Sequence, residues 1–288
     1  MVDSIAAKVM LQKALFEKLD KRIQGVIFSP EQFPLAGIVV PTGIAYRSAI
    51  ALKLAAQTSL FADIVAHDLS QHFVERPSLE NRHSPMIWAN WSIQVQASGW
   101  ITFTLSDHGI SEWLQHLCSA FTKQSLEPLA CDRSWVNLNL PTQELCYQLQ
   151  LSLPLFFQWS YIRCCRWLQQ IEACQRHAEV TARSTAHAPK PQWGWTAASP
   201  LPCHHLLQTL CTAVDRIITA PTQSRILLAQ GYTVAAAFYQ FQCALPRGTV
   251  HSLSPAVQTS IWSLHQAVRH MLAQVIIKVY QQQPTQSF

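Results

Sequence analysis

Charged residues are scarce in this sequence. Only 13% of its 288 residues are Asp, Glu, Lys or Arg, which is about half the share found in an average soluble domain. Hydrophobic residues make up 49% and ten residues are Trp, so the composition excludes an intrinsically disordered chain. The length excludes a single small module and predicts two domains or one large domain.

The sequence also lacks a convincing membrane span, which would need about 20 consecutive apolar residues. The uncharged stretch 226–245 has that length, but it contains Gln230, Gln240 and Gln242. Their amide groups would be costly to place in lipid. We therefore expect a buried amphipathic helix at this position and no membrane span.

The nine cysteines include no pair separated by two residues, the spacing typical of zinc and dithiol redox sites. Cys203, His204 and His205 are adjacent in the chain, so their side chains point apart and match no zinc pattern. The first residues lack the apolar core of a signal peptide. We expect a cytoplasmic protein with reduced, mostly buried thiols, no metal and no other cofactor.

Catalytic motifs are missing as well. The sequence has neither a G-x-S-x-G nucleophile turn nor a G-x-x-x-x-G-K phosphate loop. Acidic residues number only six between positions 126 and 288, so paired carboxylates are scarce. Each of the twelve His is expected at the surface or hydrogen-bonded in the core. These features predict that the protein is not an enzyme.

The net charge of +5 is unevenly distributed along the chain. Residues 1–125 hold ten Lys or Arg and ten Asp or Glu, whereas residues 126–288 hold eleven basic and six acidic residues. Nine of those eleven basic residues are Arg, whose planar guanidinium suits phosphate. The excess fits weak nucleic-acid binding, and it also fits ordinary solubility.

Hydrophobic periodicity predicts an α+β module in the first 120 residues. Helices are expected from about residue 5 to 25, over residues 44–58 and over residues 60–74. In the third helix Phe61, Ile64, Val65, Leu69 and Phe73 are spaced for burial. Residues 26–40 indicate a loop and a short strand. Strict alternation over 93–105, with a turn or bulge at Ser98-Gly99, predicts a strand pair or one bent strand, and Ser106 or Asp107 then caps a helix.

The second half predicts four helices, over residues 151–178, 206–220, 222–245 and 255–281. The first is expected to be one long helix that Pro154 breaks at its start. Residues 176–202 are rich in Ala, Pro, Ser and Thr, which is typical of a loop.

Several of these segments, in order, resemble arginyl-tRNA synthetases. Residues 44–55 and 93–106 are similar to the N-terminal additional domain of that family, with Thr102 at a usual Asn position. Residues 157–168 resemble the segment that opens the anticodon-binding domain, with Arg163 matching and Tyr161 at a usual His position. Residues 222–228 and 235–241 are similar to two further helices. Residues 263–273 resemble the helix that names the DALR anticodon-binding fold, without its acidic residue.

The resemblance implies a fold class and three regions. Residues 1–125 would form an α+β module, an antiparallel sheet covered by helices, like the additional domain. Residues 126–150 would be a linker or a remnant of an excised core. Residues 151–288 would form an all-α helical bundle of the DALR anticodon-binding type, with a loop at about 176–202.

The region between the two resembling parts excludes aminoacylation by this chain. Only 35 residues separate Cys118 from Pro154, too few for a nucleotide-binding catalytic domain. The His-x-Gly-His and Lys-Met-Ser-Lys elements of the synthetase family are also missing. The sequence therefore predicts a noncatalytic protein that binds tRNA or a tRNA-like RNA through its DALR-like domain.

The candidate RNA-binding residues are arginines of the second half. Arg163 and Arg166 lie one helical turn apart and, with Trp159 and Trp167, could stack on bases and clamp a phosphate backbone. The alternative is that both tryptophans belong to the core and the arginines cap neighbouring carbonyls. The complete predicted set is Arg163, Arg166, Arg216, Arg225, Arg247 and Arg269.

A second functional class stays open, a protein-interaction adaptor or a subunit of a larger complex in which RNA binding has been lost. Loss of a catalytic core would expose surfaces that formerly packed against it, and low surface charge suits burial in an assembly. Trp193 and Trp195 flank a glycine in the predicted loop and are candidate docking residues for a protein partner, although both rings could instead fold back onto the bundle.

Overall fold

A computed structural model describes residues 6–19, 29–41, 43–75, 90–123, 143–182, 201–219, 224–245 and 254–280. The chain divides into two units, an N-terminal unit Met1–Trp113 and a C-terminal unit Leu114–Phe288. The N-terminal unit combines a four-stranded antiparallel sheet with helices, and the C-terminal unit is helical in its described part. The boundary between the units falls inside one helix, Asp107–Lys123.

The elements of the N-terminal unit follow in this order: α1 (Ala7–Lys18), a 3₁₀ turn (Pro30–Gln32), β1 (Leu35–Ile38), β2 (Ile44–Ser48), α2 (Ile50–Thr58), α3 (Ala62–Glu75), β3 (Trp91–Val95), β4 (Ile101–Leu105) and the start of α4 (Asp107–Lys123). The strand order is β1-β2-β4-β3, and each neighbouring pair is antiparallel.

The predicted strand pair is confirmed as the hairpin β3–β4. Its turn uses Gly99 at φ +84°, a left-handed conformation that only glycine adopts without strain. A side chain at Gly99 would also come within 2.6 Å of the Cβ of Ala62, so the turn packs closely against the start of α3. After β4, the Ser106 hydroxyl accepts a hydrogen bond from the Gly109 amide at 3.2 Å, which confirms the predicted cap of α4.

The prediction of one helix over residues 44–58 is wrong for its first third. Residues Ile44–Ser48 form β2, which pairs with β1 on one side and β4 on the other, and only Ile50–Thr58 is helical. Ile44 and Tyr46 favour a strand, and two neighbouring strands satisfy the backbone of β2. The Ser48 hydroxyl accepts a hydrogen bond from the Ile50 amide at 3.2 Å, where the helix begins.

The core of this unit lies on one face of the sheet. Tyr46 is paired with Phe103, and Trp91 with Leu105, so their side chains share that face. The ring of Phe73 from α3 lies 6.1 Å from that of Phe103. Helix α3 thus covers the sheet, as predicted for the segment 60–74.

Two of the residues predicted to be buried in α3 are exposed. Leu69 and Phe73 are buried together with Ala66, but Phe61 and Ile64 are 77% and 55% exposed. Ile64 lies about 200° around the helix axis from Ala66. The buried face of α3 therefore cannot include both Ile64 and Ala66.

The described helices of the C-terminal unit, after the end of α4, are α5 (Gln143–Gln148), α6 (Leu153–Ala182), α7 (Leu201–Thr219), α8 (Ser224–Ala244) and α9 (Pro255–Tyr280). The four predicted helices are confirmed as α6 to α9. Pro154 lies in the first turn of α6, where no helical hydrogen bond is lost, and so it does not break the helix. Helix α6 also continues to Ala182, past the predicted start of the loop at 176.

Helix α9 is buried on most of its circumference. It packs against α6 and α8, and α7 packs against α8. A Cβ at Gly231 of α8 would overlap the Cγ2 of Val275 and lie 3.3 Å from Phe157 Cε1, so α8 approaches both neighbours closely at this glycine. Within the described residues, no helix has the length and hydropathy required to cross a membrane.

Candidate nucleic-acid interface

The strongest candidate site in the C-terminal unit is a stack of three side chains on α6. Phe156, Trp159 and Arg163 are spaced three and four residues apart, which places them on one side of the helix. The rings of Phe156 and Trp159 are stacked at 6.1 Å with an interplanar angle of 18°. The guanidinium carbon of Arg163 lies 4.6 Å from the centre of the Trp159 ring, in a cation–π contact.

Tyr239 from α8 completes this cluster. Its ring lies 5.7 Å from that of Trp159 at an angle of 45°. The hydrogen bond to the Cys243 side chain raises the pKa of Tyr239, and the positive charge of Arg163 acts in the opposite direction. We name Trp159, Arg163, Arg166 and Tyr239 the aromatic–arginine site.

The aromatic–arginine site is accessible to a ligand. Trp159, Arg163 and Tyr239 are half-buried, and Arg166, one turn further along α6, is exposed. Half-buried aromatic rings offer a surface on which an unpaired base can stack, and guanidinium groups bind phosphate. The arrangement therefore suits a single-stranded or looped nucleic acid.

Trp167 has a different place from the one predicted for it. It is 1% exposed, and its ring contacts Phe241 at 5.4 Å and His265 at 5.4 Å. Eight residues separate Trp167 from Trp159, a rotation of about 80° around the helix axis that turns Trp167 towards the core. Trp167 is therefore a core residue and not an RNA-stacking residue, whereas Trp159 is half-buried at the surface.

Arg269 lies beside a group of thiols. Its side chain donates a hydrogen bond to Cys165, which also receives one from the Tyr161 hydroxyl. Burial raises the pKa of Cys165, while the charge of Arg269 opposes that change. Burial likewise raises the pKa of Cys118, to about 11, with Arg269 again acting in the opposite direction. Arg269 thus has side-chain partners within the unit.

The other predicted residues are dispersed over the described helices. Arg216 is exposed in the last turn of α7, and Arg225 is exposed in the first turn of α8. Arg247, Trp193 and Trp195 lie outside the described residues. The structure brings Arg163 together with the aromatic rings and places Arg269 with the thiols.

The segment that resembles the DALR helix contains a buried histidine. His265 is fully buried, and its Nδ1–H donates a hydrogen bond of 2.8 Å to the Ile261 carbonyl. Its ring lies 4.9 Å from Phe241 and 5.3 Å from Phe238. Burial lowers the pKa of His265 to about 4. This histidine is a neutral core residue, and it does not face the aromatic–arginine site.

The N-terminal unit contains a second cation–aromatic pair that the sequence analysis missed. The guanidinium carbon of Arg47 on β2 lies 5.9 Å from the ring centre of Trp100. Arg47 is paired with Thr102 of β4, the position at which the resemblance places Asn. Because residues 44–58 read as a helix, nothing in the sequence pattern indicated that Arg47 and Thr102 would be neighbours.

The described residues hold no group of three His, Cys, Asp or Glu side chains placed to bind a metal ion. In α7, Cys203 and His204 are buried while His205 is exposed. Burial raises the pKa of the Cys203 thiol to about 12, which disfavours the thiolate that a metal would bind.

No family model, no curated protein and no solved structure matches this chain.

Proposed function

We propose that this protein is a noncatalytic RNA-binding protein that binds tRNA or a tRNA-like RNA through the aromatic–arginine site of its C-terminal unit. The observation that carries the proposal is the placement of the Arg163 guanidinium over the Trp159 ring, with the Tyr239 ring beside it. A base stacked in this cluster would bring its phosphates close to Arg163 and Arg166. Base stacking contributes about 1–3 kcal/mol per base.

The resemblance to arginyl-tRNA synthetases supports tRNA as the RNA class. Two segments that carry it contribute to the site, since Trp159 and Arg163 lie in residues 157–168 and Tyr239 lies in residues 235–241. In the N-terminal unit, Arg47 beside Thr102 offers a second basic position at the segment that resembles the additional domain.

The test is binding of labelled total tRNA to the full chain, measured by fluorescence anisotropy. We expect Arg163→Ala combined with Arg166→Ala to weaken binding about tenfold, because two phosphate contacts and one stacking partner are removed. The charge-matched control is Lys53→Ala combined with Arg176→Ala, two exposed residues that are not part of the aromatic–arginine site. It should retain the affinity of the unmodified chain within about twofold.

One further variant tests whether stacking or charge carries the binding. Arg163→Lys keeps the charge but loses the planar guanidinium, so we expect an intermediate affinity. If tRNA fails to bind, or if the Arg163/Arg166 pair and its control weaken binding equally, RNA binding at this site is refuted.

A second candidate function, a protein-interaction adaptor, is favoured by a separate observation. Several large apolar side chains of the N-terminal unit are highly exposed, among them Leu60, Phe61 and Ile64. Exposed apolar groups that cluster are typical of protein interfaces. Capture of a specific protein partner, unaffected by loss of the two arginines, would support this function.

A further inference from the structure

The start of helix α3 presents apolar side chains to solvent. Leu60, Phe61 and Ile64 are 56%, 77% and 55% exposed. They lie within about one helical turn, since the Phe61 carbonyl accepts the hydrogen bond of the Val65 amide and so begins the helix. The three exposed apolar side chains therefore lie close together at the start of α3.

These apolar side chains cannot be buried in the core of the unit, because the opposite side of α3 already packs there. Ala66, Leu69 and Phe73 are buried against the rest of the unit. A rotation of α3 that buried Ile64 would bring these three residues out into water. Within the described residues of this unit, the core therefore offers no place in which to bury Ile64 and Phe61.

Two carboxylates lie beside the apolar side chains. Asp63 and Asp68 are exposed on α3, on either side of Ile64 when viewed down the helix axis. Neither forms an ion pair in the part of the chain that the structure describes. The sequence of α3 contains no Lys or Arg, so its exposed face is apolar and negatively charged. We call Leu60, Phe61, Asp63, Ile64 and Asp68 the α3 docking surface.

We propose that the α3 docking surface binds an amphipathic helix of a partner protein whose apolar side is bordered by Lys or Arg. Apolar side chains of the partner would pack on Phe61 and Ile64, as in helix recognition generally. Its basic residues would pair with Asp63 and Asp68, which favours the correct partner and accelerates encounter. A second copy of this chain fits less well, because two such surfaces would bring carboxylates together.

This proposal gives a partner chemistry to the adaptor function proposed above and does not depend on RNA binding. The two are tested with separate readouts on the same protein. Variants of the α3 docking surface should leave tRNA binding unchanged, and the Arg163/Arg166 variant should leave helix binding unchanged. Failure of one proposal is therefore distinguishable from failure of the other.

The experiment uses the full chain and two fluorescent peptides of about 18 residues, long enough for five helical turns. Both peptides carry Leu on one side of the helix, and the other side carries Lys in one peptide and Glu in the other. We expect the Leu/Lys peptide to bind at least about tenfold more tightly than the Leu/Glu peptide, as charge complementarity requires. Fluorescence anisotropy measures both affinities.

Three variants locate the binding. Phe61→Ser combined with Ile64→Ser should weaken binding of the Leu/Lys peptide by at least about tenfold, because central apolar residues dominate interfaces. Val39→Ser, at another highly exposed apolar residue, should leave the affinity unchanged. Asp63→Asn combined with Asp68→Asn should remove the preference for the basic peptide. Thermal unfolding checks that each variant is folded.

Three results would overturn the proposal. The first is equal affinity for the two peptides, or no binding of either in the micromolar range. The second is an unchanged affinity in the Phe61/Ile64 variant. The third is a concentration-dependent dimer that the Phe61/Ile64 variant abolishes, since the occupant of the surface would then be a second copy of this chain.

Discussion

His265 is held in its neutral form by its surroundings. The Ile261 carbonyl accepts the hydrogen bond from Nδ1–H, and aromatic rings enclose the remainder of the ring. Protonation would place a charge among apolar groups, which is why the pKa is lowered to about 4. The free energy of unfolding therefore depends on pH through this single residue.

We expect the free energy of unfolding to decrease as the pH falls from about 6.5 to 4. The unfolded chain takes up a proton near its ordinary pKa of 6.5, whereas the folded chain resists protonation until about pH 4. The contribution of His265 is therefore fully present above pH 6.5 and is lost through this window, by about 3 kcal/mol at most. Urea denaturation at several pH values measures it.

The matched variants for this experiment are His265→Phe and His205→Gln. The first removes the titrating group and keeps an aromatic ring, so the decrease should become shallower. It should not vanish, because burial also lowers the pKa of the partly buried His270 to about 4. The second alters an exposed histidine and should reproduce the pH dependence of the unmodified chain. A pH dependence that is the same in all three proteins would contradict the expectation.

At the scale of elements, the first helix was expected to reach about residue 25 but ends at Lys18. Two further errors of sequence interpretation concern α3 and β2. Phe61 and Ile64 fit the spacing of a buried stripe, but the described residues cover one side of α3, and Ala66, Leu69 and Phe73 occupy it. Residues 44–48 fit a helical spacing through Ala45 and Ala49, but they pair with strands on both sides. In both segments the local sequence fits two structures about equally well, and contacts with residues distant in sequence decide between them.

Helix packing in the C-terminal unit depends on Gly231. We expect Gly231→Ala to lower the free energy of unfolding, because its Cβ would overlap Val275. Overpacking costs about 1–3 kcal/mol, and the better helix propensity of Ala offsets at most about 1 kcal/mol. Urea denaturation measures the difference.

Two comparisons make that prediction specific. Gln240→Ala, at an exposed position of the same helix, should change the stability by less than about 0.5 kcal/mol. In the double variant Gly231→Ala and Val275→Ala, the added methyl group should cost less than it does alone, because space has been created. If Gly231→Ala is stabilising, α8 and α9 do not approach each other as closely as described.

At the scale of the whole molecule, charge distribution separates the two proposed functions. All of the excess positive charge lies in residues 126–288, whereas the α3 docking surface belongs to the charge-balanced first half. The aromatic–arginine site and the α3 docking surface therefore belong to different units, and we expect binding at the two sites to respond differently to salt.

We expect the logarithm of the tRNA affinity to fall linearly with the logarithm of salt concentration. Loss of Arg163 and Arg166 should reduce the magnitude of the slope by about 1–2, since each phosphate contact contributes about 0.7–0.9. Titrations between low and physiological salt measure the slopes. The Lys53/Arg176 control should keep the original slope. Equal slopes in all three proteins would show that neither Arg163 nor Arg166 contacts phosphate.

The sequence by itself determined the class of each half. The alternation over 93–105 predicted a strand pair or one bent strand, and the structure has the strand pair. The apolar periodicity predicted α6 to α9 to within about five residues, because such patterns depend only on the local geometry of strands and helices. The spacing of Arg163 and Arg166 also sufficed to place them one turn apart on a helix.

Only the tertiary structure decided which of these side chains face solvent. Trp159 and Trp167 lie on one helix and are equally apolar, yet neighbouring α8 and α9 bury Trp167 and leave Trp159 half-exposed beside Tyr239. Phe61 and Phe73 differ in the same way on α3. The physical reason is that burial depends on which surfaces meet in space, and a periodic pattern identifies a surface without identifying what covers it.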